Sequence, residues 1–281
     1  LSDIQRTDVV KLHAHIGGKS QYSANRVVEL LSSMFAKAIE WGWKGENPAT
    51  KIKAFKERKR ERFLQPDELP AFFEALKAEL NETIRDYILI SLLTGARRSN
   101  VQAARWSEID FRDAKWTIPE TKNGEPVTLP LSTMALGILE NRKAESQSEW
   151  VFPGVGATGH LVEPKTVWKR ILKAAATIQK KNWLKGNPRK TEADFVKACP
   201  TAGFKDLRLH DLRRTLGSWQ AATGATLPII GKSLGHKSLQ ATQIYARLNL
   251  DPVRAAVDKA TEAMLRAANG SAKLLGDGNG R

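Results

Sequence analysis

The sequence predicts a mainly α (α+β) protein: a small helical N-terminal region, then a larger, mostly helical domain with one small antiparallel β-sheet. Three observations predict it. Apolar residues recur at three- and four-residue spacing along most of the 281 residues, the period of a helix buried along one stripe. Only Lys115–Ile118 and Pro126–Leu131 alternate in strand fashion, and Asn123-Gly124 between them is a hairpin turn signal. Finally, Lys51–Arg62 carries seven basic residues against two acidic ones and separates helical patterns on either side, which reads as a linker. The divisions that follow are 1–54, a linker at 55–63, a second domain over 64–268 and a flexible Gly-rich tail at 269–281.

In the first region, Thr7 caps a helix over Asp8–Ile16 that Gly17-Gly18 stops. Ser20 or Ser23 opens a longer helix. Its apolar positions Val27, Leu30, Leu31, Met34, Phe35, Ala38 and Ile39 form one expected buried stripe. Trp41-Gly42-Trp43 and Asn47-Pro48 end it. Pro66, Asp67 and Glu68 then mark a helix start, with helices over 67–79 and 81–94. Thr94-Gly95 breaks the pattern, and a short helix spans 99–106 before the two strands. Helices return over 132–146 and 164–178. Residues 178–204 mix basic residues, prolines and weak periodicity, and read as an insertion with one short helix near 191–199. From Asp206 the chain is helical again, with turns at Gly224 and Gly235. A last amphipathic helix covers Asp251–Ala268.

Composition narrows the partner. The formal net charge is +15 and the pI about 9.9, a surplus that favours a polyanion, since each neutralised phosphate releases condensed counterions. The one cysteine, Cys199, excludes an intrachain disulfide framework and suits a reducing compartment. No apolar run reaches the 18 residues of a membrane span. The five histidines offer no convincing ligand set, and no Gly-rich phosphate loop is present, so neither metal nor cofactor is expected. The chain starts at Leu1, which points to a truncation at the N-terminus.

The chemistry-bearing residues concentrate between Asp206 and Arg247. His210 and Arg213 are three apart in HDLRR, a spacing that puts two donors on one helical face. His236 follows a glycine at a turn, and Ser238 can cap the helix that carries Tyr245. Singly, each has an ordinary reading as a surface histidine, a solvated arginine or a core aromatic. With Arg97 in Thr94-Gly95-Ala96-Arg97-Arg98-Ser99-Asn100 and Lys122 in Pro119-Glu120-Thr121-Lys122-Asn123-Gly124, the set changes meaning.

These five motifs, in this order, resemble the tyrosine recombinase (phage integrase) family, and the resemblance runs through nearly the whole chain. It departs at Asn100, where many relatives carry a carboxylate that buttresses the site. The resemblance implies a site-specific DNA recombinase, the integrase of a mobile element or prophage, that cleaves and rejoins DNA through a 3′-phosphotyrosyl intermediate. It implies that residues 1–54 are a core-type DNA-binding domain and 64–268 the catalytic domain. Tyr245 would be the nucleophile, Arg97 and Arg213 would clamp the phosphate, and His210 would accept the phenolic proton. His236 would donate to a phosphate oxygen and Lys122 would protonate the leaving 5′-hydroxyl. Asn25, Arg26, Lys37, Lys44, Lys51, Lys53, Lys56, Arg58, Lys59 and Arg60 are the expected DNA-contacting residues. The implied partners are double-stranded attachment sites, three further copies of the chain in a synaptic homotetramer, and DNA-bending accessory proteins of host or element, with no membrane. A bacterial cytoplasmic, nucleoid-associated setting follows. The rivals are a type IB topoisomerase-like relaxing enzyme, which would act as a monomer, and a catalytically idle DNA-binding regulator.

Overall fold

A computed structural model describes residues 1–57, 60–119, 124–162, 164–199, 201–236, 238–246 and 257–264. The chain divides into two units, Leu1–Arg60 and Glu61–Arg281.

The first unit is a pair of helices strapped by the chain that follows them. Helix α1 (Arg6–Gly17) starts earlier than Thr7 would dictate, because the Asp8 carboxylate accepts the Gln5 backbone N–H at 2.9 Å and fixes the first turn there. Helix α2 (Gln21–Glu40) is capped by Ser20, whose hydroxyl accepts the Ser23 N–H at 3.2 Å. Its buried face matches the expected stripe only in part, at Leu31 and Phe35. Ala24, Val28 and Phe35 point inward, whereas Leu30, Met34 and Ile39 are exposed. Two apolar rows compete on α2, and the row one step round the helix meets Val9, Ala49 and Ile52.

Asn25 belongs to this interior and not to a DNA-facing surface. It is 3% exposed, and its amide oxygen accepts the Phe55 N–H at 2.9 Å and pairs with His13 Nε2 at 3.1 Å. Its amide nitrogen donates to Phe55 O and Glu57 Oε1. The His13 ring stacks on Phe55 at 4.3 Å, and a Cβ on Gly17 would lie 2.4 Å from the same ring, so only glycine admits the strap here. Arg6 completes the closure by donating to Thr50 O and Lys51 O.

The second unit is mostly helical with a small antiparallel sheet. Helices α3 (Leu69–Lys77), α4 (Glu82–Thr94), α5 (Arg98–Gln102), α6 (Thr133–Glu145) and α7 (Lys165–Gly186) are followed by α8 (Glu192–Ala198), α9 (Asp211–Ala222), α10 (Leu227–Leu234) and α11 (Leu239–Ala246). Asn81 caps α4 and Ser132 caps α6 through side-chain oxygens. The expected helix at 99–106 stops at Gln102 and gives way to a 3₁₀ turn, Trp106–Glu108. Strand β1 (Ile109–Asp110), which the sequence did not reveal, pairs with β2 (Lys115–Ile118), and β2 pairs with β3 (Val127–Pro130). Trp116 lies opposite Leu129, and with Ile118 these side chains face the core.

That core is aromatic where α3, α7 and the segment before α9 meet. Phe72 is fully buried against Trp168 and Phe204, and Tyr87 on α4 meets Phe152 edge-on. Each such burial stabilises the fold by about 1.5–3 kcal/mol. Helix α7 runs well past the expected end at 178, because Trp183 on its extension finds its own partner in Phe195 on α8. Residues 257–264 are helical and exposed, including Val257 and Met264. The rest of the expected 251–268 helix and the 269–281 tail lie outside the described residues, as do Lys122, Arg58 and Lys59. No described helix is long and apolar enough to cross a membrane.

Candidate active site

Helix α9 is the rigid bar on which the site is built. Its first residue, Asp211, accepts the Arg208 N–H at 2.8 Å and an Arg214 Nη1–H at 2.7 Å. Thr215 donates its hydroxyl proton to Asp211 O at 2.9 Å and accepts the Leu64 N–H at 3.0 Å. The helix start is therefore pinned both to its own first turn and to Leu64 near the start of this unit. His210 takes the N-cap position, exposed, and Arg213 sits one turn in, buried.

Arg213 reaches the loop after α4. Helix α4 ends at Gly95, in the left-handed region at φ 59°, and Arg213 Nη1 donates to Gly95 O at 2.6 Å. A Cβ at Gly95 would lie 2.5 Å from Leu234, so glycine is required both by its φ and by the approach of α10. Two residues on, Arg97 precedes α5. Arg97, Asn100 and Arg213 line one small cleft with Val127, Leu234 and Gly235. The two arginines, far apart in sequence, thus converge.

The third side comes from the α10–α11 corner. Gly235 ends α10 at φ 64°, and a Cβ there would lie 2.5 Å from Val127 Cγ1. Strand β3 is thereby pressed against the residue preceding His236. His236 Nδ1 shares a hydrogen bond with Thr242 Oγ1 at 2.9 Å, and Thr242 is completely buried. Three residues later on α11, Tyr245 is 3% exposed and its ring lies parallel to the His236 ring, at 9° and 6.3 Å. The phenol also packs on Gly217 of α9, where a Cβ would lie 2.5 Å from Tyr245 Cζ.

The electrostatics follow from two guanidinium groups in a confined space. Burial, with Arg97 nearby, lowers the Arg213 pKa to about 10, against a raising influence from Tyr245. It remains a cation at neutral pH. Burial and then Arg213 and Arg97 push His236 down to about 4. His210, although its side chain reaches solvent, is lowered first by the partial desolvation of its ring among these neighbours and then by Arg214 and Arg213. Tyr245 is raised by burial, opposed by Arg213 and Arg214. Without DNA, His236 is neutral and the phenol protonated at neutral pH. The arrangement can receive a dianion-like centre between fixed cations, beside a hydroxyl that must still lose its proton.

Arg97, Arg213, His236 and Tyr245 are brought together, and His210 stands at the head of the same helix as Arg213. Of the expected DNA contacts, Lys44, Lys51, Lys53 and Lys56 are exposed on the first unit. Arg26 is tied to Glu29 and Glu57, Lys37 to Glu40, and Arg60 is half-buried. Thr242 and Gly217 escaped the sequence reading. A glycine inside a helical pattern was the available signal for the second, since it marks a close approach.

Gly217→Ala should cost about 1–3 kcal/mol of stability, because the added methyl must push the Tyr245 ring aside. Thermal melting measures it; an unchanged melting temperature would show that the ring yields without cost.

The phage integrase family pattern matches residues 62–251. Prophage integrase IntF of Escherichia coli is 26% identical over 196 residues, covering 68% of this chain and 36% of IntF. The integrase of Salmonella phage P22 is 26% identical over 215 residues, covering 75% of this chain and 50% of that one. This chain thus spans half or less of the length of these curated relatives. In fold, it is similar to the lambda integrase tetramer bound to a Holliday junction, with a TM-score of 0.59 and 20% identity, covering 85% of this chain and 66% of that one.

Proposed function

Because the chain belongs to the phage integrase family, we propose that it is a site-specific DNA recombinase of a phage or other mobile element, integrating or excising that element. The observation that carries the proposal is that Arg97 and Arg213 share one cleft, while His236 and Tyr245, ring beside ring at the α10–α11 corner, lie within electrostatic reach of Arg213. Such a set serves one purpose well, the attack of a phenol on a phosphodiester.

In the proposed reaction the Tyr245 oxygen attacks the scissile phosphorus and its proton passes to His210. Arg97 and Arg213 hold the non-bridging oxygens as charge builds on them. His236, with Nδ1 engaged by Thr242, offers Nε2 to a phosphate oxygen. The P–O5′ bond breaks as Lys122 supplies a proton to the leaving oxygen. A 3′-phosphotyrosyl bond remains, and a 5′-hydroxyl from another strand reverses the step. Exchange of strands therefore needs no outside energy source.

In this proposal residues 1–54 are the core-type DNA-binding domain, 55–63 the linker, 64–268 the catalytic domain and 269–281 a tail. Four copies act on two duplex sites, and the exposed apolar residues of 257–264 serve contacts between protomers. DNA-bending accessory proteins assist, and the setting is the bacterial cytoplasm.

The test begins with DNA recovered covalently bound to the protein in cells, whose sequence defines the site. Two plasmids carrying that site should then exchange strands; relaxation of supercoils without exchange would overturn the recombinase reading. On a suicide duplex of the same site, Lys122→Ala should cut about 10²-fold or more slowly, as expected for a lost general acid. A 5′-phosphorothiolate at the cleavage point should restore the rate, because a thiolate leaves without a proton. Equal defects on both substrates would remove Lys122 from the general-acid role.

A further inference from the structure

The extension of α7 past Gln179 and helix α8 form a projection whose charge is mainly basic. Up to Gln179, α7 is anchored to the main core by Trp168, Ile171 and Ala175. Beyond it, Trp183 turns to Phe195, Cys199 and Ala202, a small separate core. Thr191 closes the structure by capping α8, its hydroxyl and N–H both bonded to the Asp194 carboxylate. The projection is therefore an ordered element rather than a loose loop. It carries six basic residues against two acidic ones.

Both acids are already used. Glu192 pairs with Lys180 at 2.8 Å, and Asp194 caps α8. Lys181, Lys185 and Arg189 are exposed with no carboxylate within salt-bridge distance among the described residues, and Lys190, also exposed, feels the Asp194 carboxylate without pairing with it at that distance. Repulsion among four such cations costs stability unless an anion meets them. Lys169 and Lys173 extend the charge back along the solvent side of α7, opposite Ile171 and Ala175.

The root of the projection fixes which anion is at hand. Gln179 donates to Asp67 at 3.3 Å, at the start of this unit. Where the chain returns, Lys205 O accepts the Arg62 Nε–H at 3.1 Å. Five residues later comes His210, and α9 then delivers Arg213. The projection is thus rooted between the point where the basic linker arrives and the helix that holds the scissile phosphate. Helix α7, 22 residues long, spans about 33 Å at 1.5 Å per residue, close to the roughly 34 Å of one duplex turn.

We propose that the α7–α8 projection is a second duplex-DNA contact surface, in which Lys181, Lys185, Arg189 and Lys190 hold backbone phosphates flanking the cleavage point. It rests on the recombinase reading for the position of the cleaved phosphate. The contacts are to phosphates, so they add affinity and register without reading sequence.

The test uses Tyr245→Phe protein, so that binding is measured without cleavage, and a fluorescein-labelled random-sequence duplex of about 40 base pairs, long enough to extend beyond a single turn of about 10 pairs. Replacing the four residues together by Ala should lower affinity about tenfold at moderate salt. The slope of log K against log salt should fall by about 2 to 3.6, up to 0.9 for each lost contact. A charge-preserving variant, with Lys181, Lys185 and Lys190 changed to Arg and Arg189 to Lys, should bind as the parent does. An unchanged slope and affinity for the alanine variant would mean a merely solvated face and overturn the proposal. So would an equal loss in the charge-preserving variant. If the unsubstituted protein binds DNA yet forms no covalent adduct anywhere, the recombinase reading fails while the binding result still decides the projection.

Discussion

Tyr245→Phe protein is expected to form no covalent adduct with DNA, a loss of about 10⁴-fold or more, while binding duplex DNA as tightly as the parent. The structure says why the two effects separate. The Tyr245 ring packs against Gly217 and lies parallel to the His236 ring, and a phenylalanine ring keeps both arrangements. Only the oxygen goes, and with it the sole nucleophile of the proposed reaction. The melting temperature should move by no more than a few degrees, as for a loss near 1 kcal/mol. Denaturing electrophoresis after incubation with a suicide duplex reads the adduct directly. Adducts formed by the Phe variant would mean that another residue attacks, and the assignment of Tyr245 would be abandoned.

Arg213→Ala should also be severe, but in two readouts at once. Loss of one pre-positioned donor to a developing charge slows cleavage by about 10²–10³-fold. The same guanidinium donates to Gly95 O in a buried place, so its removal also strips a partner from a carbonyl, at a cost of about 1–3 kcal/mol. Arg213→Lys should restore little of the cleavage. An ammonium cannot span the Gly95 carbonyl and a phosphate with one planar fork. Burial would moreover lower a lysine's pKa from a starting point already below that of arginine. Single-turnover cleavage at saturating protein, with thermal melting beside it, separates the catalytic from the structural loss. Cleavage by Arg213→Ala within threefold of the parent would take Arg213 out of the phosphate clamp.

How much of this could be read without coordinates differs by element. The α4 boundaries, the pairing of β2 with β3 and α6 follow from local signals: a helical period over 81–94 stopped at Gly95, strand alternation over Lys115–Ile118 and Pro126–Leu131, and a helical period resuming at 132. Signals of this kind act within a few residues and survive in the bare sequence. Strand β1 has only two residues and exists because β2 offers it an edge, so no local pattern announces it. The extension of α7 was hidden for a similar reason. Its periodicity after Ile178 looks weak because Trp183 serves a second small core formed with α8.

The inner face of α2 shows the same limit. Leu30 and Met34 lie on an apolar row as good as that of Val28 and Leu31, and a periodicity cannot choose between neighbouring rows. Packing against Val9, Ala49 and Ile52 chose, and it drew Asn25 inward with it. There the amide saturates its hydrogen bonds with Phe55, Glu57 and His13, which removes it from the charged surface.

By itself the sequence determined the chemistry of the site: two arginines, two imidazoles, a lysine and a phenol in a telling order. Residue types carry functional groups and permanent charge wherever they are placed, and motif order is a property of the chain alone. Only the tertiary structure decided that Arg97 and Arg213 face one cleft, that Gly217 makes room for Tyr245 and that Thr242 holds His236. Those facts depend on contacts between segments up to more than a hundred residues apart, and such contacts are set by close packing, which leaves no periodic trace in either segment.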